Sequence, residues 1–77
     1  MLYLIQWLDS EDHRHPIAET GCEAYDLQAA FGIARRLYWE RHQDFPHILG
    51  FRISVPGRPY LTLLWLAARH ANDPDAP

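Results

Sequence analysis

The sequence predicts an α+β domain: a small antiparallel sheet of three or four strands with one amphipathic helix packed on one face. Three observations carry that expectation. Residues 26–43 repeat their apolar side chains at helical spacing, and residues 2–8 and 48–55 read as strands. A Val-Pro-Gly-Arg turn at 55–58 then requires the chain to fold back on itself. At 77 residues the chain makes one domain, expected over residues 1–71, with a disordered polar tail (NDPDAP) at 72–77. So small a domain buries only about 60% of its unfolded surface and needs a dense core. A content of 48% hydrophobic and 13% aromatic residues supplies one.

The first element is Leu2 to Leu8 (LYLIQWL), closed by the polar cluster Asp9-Ser10-Glu11-Asp12. Its alternation sets Leu2, Leu4 and Leu8 on one side and Tyr3, Ile5 and Trp7 on the other, so both faces are apolar. That pattern asks for a central strand or one covered on both sides. Residues 10–23 (SEDHRHPIAETGCE) admit two readings of equal weight. One is an edge strand over Ile17 to Glu23, with Pro16 at its start and Gly21 at a bulge. The other is an irregular loop.

Asp26 is placed to cap the helix, its carboxylate accepting an orphan backbone N–H. At 100° per residue, Leu27, Ala30, Phe31, Ala34, Leu37 and Tyr38 fall in a sector about 120° wide. Asp44-Phe45-Pro46 ends the helix, because proline biases Phe45 away from helical backbone. From Ile48 to Val55 the chain alternates, with Leu49, Phe51, Ile53 and Val55 on one face and Gly50, Arg52 and Ser54 on a wet one. Tyr60 to Leu66 (YLTLLWL) is then expected as the hairpin partner. A helix from Leu61 to about Ala71 stays open as an alternative, since this segment has few polar positions on either face. One helix covers one sheet face, and the surplus of apolar strand surface asks for a second copy, a partner or the 10–23 segment to cover it.

Composition narrows the function. A net charge of −3 argues mildly against bulk nucleic-acid or anionic-membrane binding. All seven cations are arginines, whose planar forks suit interfaces. No apolar run reaches the length of a membrane span, and Met1 to Leu8 lacks the basic start of a signal peptide. The single cysteine, Cys22, excludes an internal disulfide framework and fits the cytoplasm. Catalytic and cofactor motifs are absent, so no enzyme activity and no cofactor are expected.

Weak constellations remain. His13 and His15, with Asp12 or Cys22, have the residue types of a Zn²⁺ or Ni²⁺ site, but no second spaced pair follows, and no metal is assigned. Cys22 lacks an orienting group for nucleophilic chemistry and is expected to be a small buried or half-buried residue. Glu11, Asp12, Glu19 and Glu23 read as a solvated acidic loop that could rim an interface. His42 and His47 flank the helix end, where a cation meets the negative end of the dipole.

The sharpest candidate is Trp39. On the wheel it lies about 140° from the centre of the apolar sector. It shares that outer face with Gln28, Gly32, Arg35 and Arg36. A large ring among arginines is expected to anchor a protein partner, with Gly32 marking a close backbone approach. The alternative is a small RNA- or DNA-binding regulator in which Arg52 and Arg58 extend a basic strip and Tyr3 or Trp7 stack on bases.

In layout the chain resembles the small inhibitor proteins of phages and mobile elements, anti-CRISPR proteins among them. The likeness rests on a short chain expected to be complete from Met1, a single amphipathic helix (YDLQAAFGIARRLYWE), an aromatic excess and no active site. It implies stoichiometric inhibition of a large nucleoprotein effector, such as a CRISPR complex, and carries over no individual residues. The expectation is therefore a non-enzymatic protein-binding module with an unidentified protein partner, no direct nucleic-acid contact, no membrane association and a surface compatible with a homodimer.

Overall fold

The structure is a computed structural model and describes residues 1–9, 15–70 and 72, with the side chains of residues 59 and 60 set aside. In chain order it holds β1 (Leu2–Leu8), β2 (Ala18–Glu23), α1 (Leu27–Arg41), β3 (Gly50–Val55) and β4 (Arg58–Leu66), followed by a 3₁₀ turn at Ala67–Arg69. The four strands form one antiparallel sheet in the order β2-β1-β3-β4, and α1 lies on one face. This is the α+β layout that the periodicities predict.

β1 is central, paired on both sides, as its two apolar faces require. Its register sets Trp7 opposite Phe51, and Phe51 opposite Trp65 on β4, so one aromatic row crosses three strands beneath the helix. Ile5, Ile53 and Leu63 make the next row. Ala30, Ala34 and Tyr38 come down on these rows from α1, and with Ile5, Phe51 and Ile53 they form a core closed to solvent. The spacing of these three, one helical turn and a little more, is the ridge that meets a sheet. Two alanines on it let the helix sit close, and Tyr38 reaches past the sheet to donate its hydroxyl to the Ile48 carbonyl at 3.1 Å.

The cap is where Asp26 places it: extended backbone, with the carboxylate accepting from the Ala29 N–H at 2.8 Å. α1 ends at Arg41, two residues before the expected Gln43, and its cap is His42. The imidazole Nδ1 there lies 2.9 Å from the Trp39 carbonyl, so that nitrogen carries the proton and donates it.

Of the two readings for residues 10–23, the strand holds for Ala18–Glu23. Gly21 is not a bulge: it pairs in register with Leu4. The register shift falls instead between Ser54 and Val55, beside the Pro56-Gly57 turn. Gly57 has φ +80°, as the second corner of a type II turn demands. Such a turn twists against the strands it joins, and the shift absorbs the mismatch. Residues 61–66 belong to β4, which excludes the alternative helix. Leu49, expected in the same buried row as Phe51, lies just outside β3 and is exposed, although its N–H and C=O bond to Leu8 and Ala67. Of the expected tail, all but Asn72 lies outside the described residues.

On the helix-free face, Glu19, Gln6 and Arg52 stand side by side across three strands. The Gln6 amide donates to Glu19 at 2.9 Å and accepts from Arg52 Nε at 2.8 Å. This ladder adds to the polar side chains of a face that also presents Ser54 and Thr62 beside Leu2, Leu4 and Leu64. At its end, Gly50 sits between Leu8 and Leu66 in register, and both leucines are buried. A Cβ on Gly50 would collide with the Trp65 carbonyl oxygen and lie 3.0 Å from the Leu66 Cα. Only glycine allows β3 and β4 to approach so closely there.

Candidate functional site

The helix covers the middle of the sheet, and its C-terminal half stands off from β2. A groove of about 320 Å³ opens there. Trp7, Leu37, Tyr38 and Ile48 line it, together with Ile17, Ala18 and Thr20 from the β2 side. Trp7 is fixed in place because its indole N–H donates to Thr20 Oγ1 at 3.1 Å, while its ring meets Phe51 edge-on at 5.8 Å. Tyr38 is fixed by its bond to Ile48.

Two large apolar side chains remain exposed at this groove: Ile17 at 45% and Phe45 at 50%. Both follow from local chain geometry. Ile17 comes after Pro16, and its N–H is tied to the Trp7 carbonyl at 2.9 Å. Phe45 precedes Pro46 in the turn that leaves α1, with its N–H on the Arg41 carbonyl at 3.0 Å. Beside the Tyr38 phenol, which is bonded to Ile48, the ionisable side chains among the described residues of the lining are Arg41, His42 and His47, all basic. Among the described residues Arg41 makes no ion pair. The site is therefore an apolar trough with a one-signed rim, suited to an apolar group that carries a negative neighbour.

The sequence pointed elsewhere on the same helix. Trp39 does not face outward. It is half-buried and packs on the core, with ring centroids 4.9 Å from Tyr38, 5.3 Å from His42 and 5.8 Å from Trp65. A wheel reports the direction of the Cα–Cβ bond, whereas an indole is long enough to fold back from the flank onto a neighbouring strand. Its Nε1 and that of Trp65 are both buried without a hydrogen-bond partner among the described residues. Arg35 lies against Phe31, its guanidinium carbon 5.3 Å from the ring centre. Arg36 and Gln28 are exposed on the helix surface. A Cβ on Gly32 would meet nothing within 4 Å, so among the described residues no backbone approaches it closely.

The acidic set divides. Glu11 and Asp12 lie outside the described residues. Glu19 is held in the Gln6 ladder, and Glu23 pairs with the N-terminal ammonium at 3.1 Å. Both stand on the helix-free side of β2, away from the groove. His13 also lies outside, and among the described residues no three His, Cys, Asp or Glu converge as a metal site would need. Cys22 is buried beneath the helix, as expected of a small apolar residue, and desolvation followed by the nearby Glu23 charge pushes its thiol up. The nucleic-acid strip is not assembled: Tyr3 is buried, and Arg52 lies on the face opposite Trp7.

The groove escaped the sequence reading because four separated segments build it. The signal that could have found it is Ile17 and Phe45, large apolar residues beside prolines in otherwise polar connections. Among the described residues no helix is long and apolar enough to cross a membrane. Compared with known proteins, the chain matches no family model, no curated protein and no solved structure.

Proposed function

We propose that the protein is a non-enzymatic binding module whose groove receives an apolar side chain of a protein partner, flanked in that partner by Asp or Glu. The observation that carries this reading is the combination of exposed Ile17 and Phe45 with the wholly basic set Arg41, His42 and His47. Apolar burial supplies affinity, and the basic rim selects the acidic neighbour and speeds encounter. Among the described residues the lining offers no carboxylate or thiol, and both of its hydroxyls are engaged, Thr20 accepting from Trp7 and Tyr38 donating to the Ile48 carbonyl, which favours binding over catalysis. A partner broad enough to extend across α1 would also meet Arg36 and Gln28.

The likeness to small phage and mobile-element inhibitors suggests the wider form of this reading: stoichiometric inhibition of a nucleoprotein effector, acting in the cytoplasm, where a lone thiol stays reduced. The test is a selection of random displayed peptides on the wild-type protein. Peptides pairing a large apolar residue with adjacent acids should emerge, and Arg41→Glu should weaken them at least tenfold. A selection without such a consensus, or peptides indifferent to Arg41→Glu, would overturn the proposal.

A further inference from the structure

The sheet order leaves two edges, and they are built differently. β2 carries Glu19 and Glu23 on either side of Gly21, so a second β2 paired across Gly21 would set glutamate against glutamate. β4 has no such guard. From Pro59 to Ala68 the chain holds no charged residue, and among the described residues only β3 pairs with β4. Leu61 and Leu64, on opposite faces of the strand, are 39% and 40% exposed. An apolar edge strand of this length, with its outer side open among the described residues, is a template for another strand.

We propose that β4 pairs antiparallel with β4 of a second copy, about a two-fold axis near Leu63, to give a continuous eight-stranded sheet. The proposal is independent of the groove, which lies at the other side of the helix. Pro59 lacks an N–H, which confines the pairing to Tyr60–Leu66 and places its centre at Leu63. About this axis Leu61 faces Trp65 and Thr62 faces Leu64 of the second copy, so like faces meet and both helices lie on one side of the sheet. A foreign strand would need polar or charged features to choose it and fix its register, and this segment supplies none. A copy of itself needs only self-complementarity, which an uncharged apolar segment has.

The size of the contact places it among weak interfaces. The paired stretch is about 24 Å long at the usual strand rise. The thinnest dimension of the molecule is 20 Å. The patch is thus roughly 500 Å² per copy, at the low end of specific interfaces, which points to a dimer of micromolar affinity.

Sedimentation of the full chain from micromolar to near-millimolar concentration should show a monomer–dimer equilibrium. Amide exchange at Leu61–Leu66 should slow as concentration rises, while β2 amides stay unchanged. Leu61→Lys and Leu64→Lys each place a charge at an exposed position and should weaken the dimer at least tenfold, with circular dichroism unaltered. Gln28→Lys, on the outer surface of the helix, should leave it intact. A monomer at every concentration would overturn the proposal. So would β4 amides protected to the same degree throughout, the result expected if the chain's own C-terminal residues covered the edge. A dimer indifferent to both lysine variants would also overturn it, by placing the contact elsewhere.

Discussion

Trp39 separates two roles that one substitution can distinguish. If its ring stabilises the fold, Trp39→Ala removes contacts with Tyr38, His42 and Trp65, each worth roughly 0.5–1.5 kcal/mol beyond area burial. A fully buried tryptophan costs about 3–5 kcal/mol on truncation to alanine. Trp39 is half-buried, and its loss also removes an indole N–H buried without a partner among the described residues, a penalty of about 1–3 kcal/mol. The net expectation for Trp39→Ala is a destabilisation of about 2 kcal/mol. For a domain of this size that lowers Tm by roughly 8–16 °C. Trp39→Phe keeps most of the ring contact and discards the orphaned N–H, so it should lie within about 1 kcal/mol of wild type, on the stabilising side. Urea titrations and thermal melts of the two variants read this directly. An alanine variant as stable as wild type, or a phenylalanine variant as damaged as the alanine one, would refute the core assignment.

Three further perturbations probe other parts of the fold. Gly50→Ala drives a Cβ into the Trp65 carbonyl and should cost at least about 3 kcal/mol, visible as loss of the cooperative melt. Gly32→Ala meets open space inside a helix and should stabilise by up to about 1 kcal/mol; a drop in Tm would reveal a contact that the geometry lacks. Burial raises the Cys22 thiol and the Tyr38 phenol. The neutral forms are therefore favoured in the folded state, and stability is full below their ordinary values of 9.0 and 10.0 and is lost as pH rises beyond them. Urea midpoints should be flat near neutrality and fall in that alkaline window, with Cys22→Ala delaying the onset toward the tyrosine range.

The elements whose side chains meet the core along one period were legible in the sequence. Ala30, Ala34 and Tyr38 announce the helix ridge, Asp26 its cap, and Phe51, Ile53 and Val55 the buried row of β3. β2 was only half legible, because an edge strand buries one side chain, Cys22, and its other positions look like loop. Trp39 misled for a steric reason: the period gives the direction in which a side chain leaves the backbone, and a long ring can turn back. The groove was not legible at all. Trp7, Ile17, Leu37 and Phe45 meet only because β1 is central and α1 crosses above it, and no local pattern encodes that meeting.

The most direct test of the binding account is an amide chemical-shift map of the labelled protein, titrated with a synthetic peptide that pairs a large apolar residue with two flanking acids. The groove account predicts saturable shifts concentrated at Ile17, Ala18, Leu37, Arg41, Phe45 and Ile48, weakening as salt rises. Shifts confined to the outer surface of α1 around Gln28, Gly32 and Arg36, or to the helix-free face around Gln6 and Arg52, would contradict it.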